Sequence, residues 1–170
     1  AYQCLKAIAS QGGPMYSLQN KKVLVLGGMD GTGRALTQMC KKARAEIYFC
    51  APTHRHLYVK NIMGVNPLPE TDWLPQVEGQ LDFVFDGICD DGSRAACRAL
   101  KPDGELVRYG KSALLREKEM GLFGPPMAEH WNNLCNAWSS RVHSVDVWDL
   151  FRSDPESFKD DLKILFQQLK

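Results

Sequence analysis

The sequence predicts a doubly wound α/β fold, a parallel sheet of about six strands with helices on both faces. Three observations carry that expectation. Val23-Leu24-Val25-Leu26 and Phe83-Val84-Phe85 are short, wholly apolar runs, the mark of strands buried on both faces. Segments with helical spacing alternate with such runs. A glycine-rich stretch joins the first strand directly to the helix that follows. The 170 residues correspond to a single domain at ~150 residues each. With 44% hydrophobic residues there is material for a sizeable core, which sets the chain apart from disordered sequences.

In chain order, Ala1 to Ser10 carries Tyr2, Leu5, Ala7 and Ile8 at helical spacing, closed by Gln11-Gly12-Gly13-Pro14. Lys21-Lys22 leads into the first strand at Val23 to Leu26. Over 34–43, Ala35, Leu36, Met39, Cys40 and Ala43 form one stripe with Lys41 and Lys42 opposite, which predicts the first crossover helix. Glu46 to Cys50 is the second strand, and Pro52-Thr53 opens a helix ending near Gly64. Val65 to Leu68 is a brief third strand, weakened by Pro67. Leu81 to Asp86 is the fourth strand, and a short helix follows over 92–100. Lys101-Pro102-Asp103-Gly104 reads as a turn feeding a fifth strand, Glu105 to Tyr109. Gly121, Gly124 and Pro125-Pro126 make 111–126 a loop, with a helix expected over 127–138. Alternation over Val142 to Trp148 predicts a sixth strand. Asp154-Pro155-Glu156 combines a cap, a proline at the first helical position and an acid in the first turn. The helix it starts carries Phe158, Leu162, Leu165, Phe166 and Leu169 to the end of the chain.

The stretch Leu26-Gly27-Gly28-Met29-Asp30-Gly31-Thr32-Gly33-Arg34 is the most informative. A strand, a glycine turn and a helix occur in the order that a dinucleotide-binding Rossmann fold requires. Residues without a Cβ permit the tight turn and the close backbone approach that a pyrophosphate needs. The helix start then offers free N–H groups and the positive end of its dipole. Gly28, Asp30, Gly31, Thr32 and Gly33 are therefore candidate cofactor contacts, although the spacing is G-x-x-G-x-G. Asp30 places a carboxylate where phosphates would sit, which Arg34 can offset by pairing with it or with phosphate. The competing reading is a tight strand-to-helix turn with no ligand.

The end of the second strand selects the dinucleotide. A site for an unphosphorylated ribose usually has an acid there to accept from the 2′-OH. This chain reads Cys50-Ala51-Pro52-Thr53-His54-Arg55-His56 instead, which suits a 2′-phosphate and hence NADP(H). Thr53, Arg55 and His56 are the candidates, against the alternative that they form only the solvated first turn of a helix.

Composition narrows the remaining classes. A formal net charge of +1 gives no broad field for nucleic acid or an anionic membrane surface, so neither is expected as a partner. No apolar run approaches the ~18 residues of a membrane-spanning helix. Cys4, Cys40, Cys50, Cys89, Cys97 and Cys135 include no C-x-x-C pair, and buried reduced thiols in a cytoplasmic compartment are the expectation. His54, His56, His130 and His143 show no ligand spacing, so no metal site is assigned. G-x-S-x-G and a Walker-type G-K-[ST] are both missing. Trp131, Trp138 and Trp148 with Leu134 are read as core packing, with an exposed aromatic docking surface as the alternative.

Several segments in register resemble the cofactor-binding half of the medium-chain dehydrogenase/reductase superfamily, closest to its zinc-free quinone oxidoreductase (zeta-crystallin-like) branch. Ala1-Tyr2-Gln3-Cys4-Leu5 is similar to the family's Thr-Ala-Tyr-x-Ala-Leu helix without the Thr, and Val25 to Gly33 to its Val-x-Gly-Ala-x-Gly-Gly-Val-Gly loop. Asp82 to Ile88 resembles Asp-Val-Val-x-Asp-x-Val. Leu100 to Val107 with Tyr109-Gly110 resembles Leu-x-Pro-Gly-Gly-x-Leu-Val followed by Phe-Gly, and Asp149-Leu150-Phe151 with the helix from Pro155 resembles the segment after the sixth strand. The resemblance implies an NADPH-dependent reductase that transfers hydride to quinones or to the activated C=C bonds of enones. It places Gly31, Thr32 and Gly33 on the pyrophosphate, and Thr53, Arg55 and His56 near the 2′-phosphate. Gly87 and Ile88 would lie by the adenosine ribose, and Tyr109, Gly110 and Lys111 near the nicotinamide ribose.

The chain departs from the family pattern at Asp30 and Asp103, each replacing a Gly, and at Arg44, where a Gly normally ends the first crossover helix. The Tyr that often follows the third strand is missing from Asn66-Pro67-Leu68. In the family a separate catalytic domain closes the substrate cleft, so residues 1–170 are expected to be one cofactor domain cut from a longer two-domain chain. No catalytic residue is assigned, and the domain alone is expected to be inactive. A homodimer through the sheet edge or the 127–148 region is a further expectation. Two other readings stand: a non-catalytic Rossmann-fold scaffold that has weakened or lost cofactor binding, and an S-adenosylmethionine-dependent methyltransferase. The latter normally wants the acid that Ala51-Pro52-Thr53 lacks.

Overall fold

Alternate side chains of a strand face opposite sides of its sheet, and β1 (Lys22–Leu26) is apolar on both. Val23 and Val25 join one core with Leu5, Leu36, Cys40, Phe49, Val59 and Phe85. Leu24 and Leu26 join a second with Leu68, Val77, Leu81, Ala96 and Leu106. Both aromatic rings are fully buried, which stabilises the fold by about 2 kcal/mol each. The computed structural model describes residues 1–9, 18–29, 31–89, 93–109 and 139–168.

The other strands are β2 (Glu46–Cys50), β3 (Asn66–Leu68), β4 (Leu81–Asp86), β5 (Leu100–Tyr109) and β6 (Val142–Val145). They form one parallel sheet in the order β3-β2-β1-β4-β5-β6. The order reverses between β1 and β4, the switch point where open α/β sheets leave a crevice beyond the carboxyl ends of their strands. The helices are α1 (Tyr2–Ala9), α2 (Gly31–Lys42), α3 (His56–Tyr58), α4 (Leu74–Val77), α5 (Arg94–Ala99), α6 (Val147–Ser153) and α7 (Pro155–Gln168). Residues of α1 and α2 line the first core, and α4 and α5 contribute to the second. The expected doubly wound α/β architecture is thus present. Among the described residues no helix is long and apolar enough to cross a membrane.

Several elements differ from their sequence reading. Residues 53–63 run as one irregular helical stretch, a 3-10 turn at Thr53–Arg55, then α3, then a π turn at Val59–Met63, ended by Gly64 in the left-handed region. The short α4 was not expected. Pro67 is tolerated because β3 is an edge strand. The expected turn at 101–104 lies inside β5, where Leu81 pairs with Leu100 but Phe83 with Glu105. While β4 advances two residues, β5 advances five, so the turn residues are accommodated as an irregularity in a longer strand. β6 ends at Val145, because Asp146 accepts from the N–H groups of Trp148 (2.8 Å) and Asp149 (3.5 Å) and starts α6.

Trp148 consequently sits on a helix and is 70% exposed, which favours the exposed alternative at that position. Trp131, Trp138, the loop over 111–126 and the helix over 127–138 fall outside the described residues. At α7, Asp154 Oδ1 accepts from Ser157 N at 3.0 Å, as the cap pattern predicts. The buried Asp161 accepts from Gln3 Nε2 (2.6 Å) and Lys6 Nζ (3.0 Å), which fastens α7 to α1. The described cysteines, Cys4, Cys40, Cys50, Cys89 and Cys97, are buried free thiols.

Candidate functional site

At the carboxyl end of β1 the chain turns on Gly27, whose φ of +75° lies in the left-handed region. Two donors converge on the Leu26 carbonyl, the Gly87 N–H at 3.1 Å and the Tyr109 hydroxyl at 3.0 Å, and fix the end of the strand. A Cβ on Gly33 would collide with Cα of Gly28 and lie 2.9 Å from its carbonyl carbon, so α2 can pack this closely only with glycine there. A Cβ on Gly28 would in turn enter the Phe49 ring. Gly31 is different: beyond its chain neighbours and its own helix backbone, a Cβ there meets no described atom within 4 Å. It is the exposed first residue of α2, whose opening turn holds no acidic side chain. Thr32 beside it is also exposed, while Asp30 lies outside the described residues.

Beyond this turn, at the switch point, lies a cavity of about 530 Å³. Leu26, Gly28 and Met29 line it from the β1 side. Cys50, Glu70 and Trp73 line it from the β2–β3 side, and Asp86, Ile88 and Ala96 from the β4–α5 side. The Asp86 carboxylate is buried and fully engaged. Oδ1 accepts from Ile88 N (3.0 Å) and Cys89 N (2.9 Å), and Oδ2 from the Ser93 hydroxyl (2.7 Å). These bonds hold a turn in which Cys89 and Ser93 adopt φ of +53° and +65°, a conformation costly for side-chain-bearing residues. Burial, and then the Asp86 and Glu70 carboxylates nearby, suppress the local thiols. Cys50 is pushed up to about 12 by burial first, then by Glu70 and Asp86. Cys89 is pushed up to about 11 by burial first, then by Asp86. Neither thiol is a nucleophile near neutral pH.

The sequence-derived candidates separate into groups. Gly28 and Ile88 line the cavity, and Gly31, Thr32 and Gly33 form the adjoining start of α2. Thr53 and Arg55 stand on the exposed turn after β2, where the Arg55 N–H donates to the Pro52 carbonyl (2.8 Å) and its side chain makes no hydrogen bond or ion pair with a described residue. His56 Nε2 lies 3.0 Å from the Ala51 carbonyl and donates to it, since a carbonyl only accepts. Gly87 packs on Tyr109: a Cβ on the half-buried Gly87 would lie 2.7 Å from the ring of the buried tyrosine. Gly110 and Lys111 lie outside the described residues. Arg34 reaches the Tyr58 hydroxyl, Nη2 donating at 3.2 Å.

Glu70, Trp73, Asp86 and Ala96 are lining residues that sequence reasoning missed. Asp86 carried a signal, an acid ending an apolar strand with Ser93 downstream. Glu70 and Trp73 carried none, because only the pairing of β3 on β2 brings their turn to the cavity. Among the described residues, no group of three or more His, Cys, Asp or Glu side chains could hold a metal ion.

An α/β fold with a glycine turn at its switch point is the architecture on which dinucleotide-binding domains are built. No family model matches the sequence. Over 119 residues it is 27% identical to the synaptic vesicle membrane protein VAT-1 homolog of Danio rerio, covering 66% of this chain and 24% of that protein. The chain thus spans about a quarter of that curated relative's length. The nucleotide-binding subdomain of the enoylreductase domain of PpsC from Mycobacterium tuberculosis superposes with a TM-score of 0.70 at 17% identity, over 98% of this chain and 90% of that one. The quinone oxidoreductase from Coxiella burnetii gives 0.60 at 17% identity, over 95% and 47%. The resemblance to the medium-chain dehydrogenase/reductase superfamily, at its cofactor-binding domain, is borne out.

Proposed function

We propose that this chain is the NADP(H)-binding domain of a cytoplasmic, zinc-free oxidoreductase that transfers hydride to a quinone or an enone-type substrate. The observation that carries the reading is the division of labour in the glycine turn. Gly27, Gly28 and Gly33 each answer a constraint from the protein itself, whereas Gly31 answers none and leaves its side open at the start of α2. That arrangement fits a pyrophosphate, whose oxygens would lie against the start of α2 at Gly31, Thr32 and Gly33. Gly28 and Ile88 would bound the adenosine in the cavity. Thr53 and Arg55 would face the 2′-phosphate, with His56 behind them, held on Ala51.

Gly87 and Tyr109 would act from beneath by fixing the strand ends. Gly110 and Lys111 are assigned through the family resemblance alone, and Asp30 through its place in the glycine stretch. When bound, the nicotinamide supplies the hydride. The chain's own residues bind and orient the dinucleotide, and the substrate-facing groups belong on this reading to a second domain of a longer chain. A second copy would add at an edge strand of the sheet, β6.

A second reading, a Rossmann-fold scaffold without a working cofactor site, is favoured by the carboxylates of Glu70 and Asp86 on the cavity and by Arg34 being held on Tyr58. Titration of the chain with NADPH and NADH, followed by calorimetry or NADPH fluorescence, separates the two. NADPH is expected to bind more tightly than NADH, with Arg55→Ala narrowing the gap. If neither dinucleotide binds at millimolar concentration, the cofactor reading is overturned and the scaffold reading is favoured.

A further inference from the structure

We infer that Glu70 is a specificity-determining residue of the dinucleotide cleft: it disfavours a phosphate on the adenosine 2′ position, opposes Arg55, and keeps the site open to both NADPH and NADH. The inference rests on the dinucleotide reading above and adds the group that sets the balance between the two cofactors.

β2 ends in Cys50-Ala51-Pro52-Thr53, with no acid where a dinucleotide site ordinarily reads the ribose. The fold brings one there from the neighbouring strand. β3 pairs in parallel with β2, Leu68 opposite Cys50, so the turn two residues past β3 overhangs the carboxyl end of β2. Glu70 lies on that turn and lines the same cavity as Cys50. Its charge is felt at the Cys50 thiol, after burial the largest of the influences that raise it.

Of the two carboxylates among the described residues that line the cavity, Asp86 has both oxygens engaged by Ile88, Cys89 and Ser93. Glu70 makes no hydrogen bond or ion pair with a described residue. Its oxygens are available to accept from a ribose 2′-OH, and its charge repels a 2′-phosphate in the same place. Arg55, exposed on the turn after β2, supplies the opposite preference. Because both groups are solvent-exposed, screening limits each effect to a few-fold.

The test titrates the chain, Glu70→Gln, Arg55→Ala and the double variant with NADPH, NADH, 2′-AMP and 5′-AMP by calorimetry. For Glu70→Gln, the expected result is NADPH and 2′-AMP tightened about fivefold and NADH loosened about threefold, effects of roughly 1 kcal/mol or less by the tenfold-per-1.4 relation. Arg55→Ala moves the ratio the other way, and the double variant returns it close to that of the unmodified chain. An unchanged ratio in Glu70→Gln, or an equal change for both dinucleotides, overturns the assignment of Glu70 while leaving the cofactor reading intact. If the unmodified chain binds neither dinucleotide, the cofactor reading itself fails, and the inference falls with it. Glu70 is exposed, so an unaltered thermal melt of Glu70→Gln is the expected control.

Discussion

Gly31→Ala and Gly33→Ala make opposite demands on one turn and test its assignment sharply. At Gly31 a methyl group meets no described atom within 4 Å beyond its chain neighbours and its own helix backbone, and the residue opens α2. Alanine there removes unfolded-state freedom and favours the helix, a gain of roughly 0.5–1 kcal/mol. For a chain of this size that is a rise of about 1–4 °C in Tm. The same methyl group occupies the side from which a pyrophosphate would reach the helix N–H groups. Loss of one charge-assisted hydrogen bond costs about 2 kcal/mol, which weakens NADPH about thirtyfold.

At Gly33 the methyl group would strike Gly28 and come within 3.0 Å of the Gly27 carbonyl oxygen, so α2 must move away from β1. Overpacking of this kind costs about 3 kcal/mol, a fall of roughly 6–12 °C. Differential scanning fluorimetry reads the stability and NADPH fluorescence the affinity. A Gly31→Ala chain that binds NADPH as tightly as the unmodified one would refute the pyrophosphate assignment. One destabilised as strongly as Gly33→Ala would refute the claim that Gly31 faces open space.

Two further predictions concern the scaffold, beside those for Arg55 and Glu70. Arg44 ends α2 at φ +60°, with Arg44 N on Lys41 O (3.0 Å) and Ala45 N on Cys40 O (3.1 Å), a Schellman closure that favours glycine. Since Arg44 is exposed, Arg44→Gly is expected to stabilise by about 1 kcal/mol and raise Tm by a few degrees in the same fluorimetric assay. At the same amino end of the sheet, burial disfavours the charge on Asp82. Lys101 Nζ (2.8 Å), the Lys22 N–H (2.8 Å) and Lys21 Nζ (3.5 Å) outweigh it and hold the carboxyl below its ordinary 3.8. A depressed folded-state value means stability present above pH 3.8 that is lost as pH falls through the folded value. Urea melts from pH 7 down to pH 2 should therefore show Asp82→Asn less stable at neutrality and converging with the unmodified chain in acid. A constant difference across that range would contradict the ion-pair account.

Much of the architecture was legible because its information is local. The apolar run at Val23 to Leu26, the spacing of Leu36, Met39 and Cys40, and the cap at Asp154 each specify an element from residues a few positions apart. Arg44 stood out as a non-glycine at a helix end, and its left-handed φ follows from that position. Where local signals competed, the tertiary context won. The alternation over Val142 to Trp148 suited a strand, but Asp146 could cap the next helix and ended β6 early. Lys101-Pro102-Asp103-Gly104 had turn chemistry, yet β4 held it in the sheet as an irregular stretch of β5.

The glycine turn was legible as a turn, but the separate jobs of its glycines were not, since Phe49 and Gly28 press on it from distant or folded-back positions. The charge around the cleft was the least accessible of all. Read along the chain, the end of the second strand has no acid. In the folded protein, the parallel register of β3 on β2 swings Glu70 over it, while the β4 turn absorbs Asp86 into its own hydrogen bonds. Periodicity and turn chemistry are properties of neighbouring residues, so the sequence could settle the elements. The electrostatics of a cavity sum over side chains from separate strands, and those distances exist only once the strand order has been set.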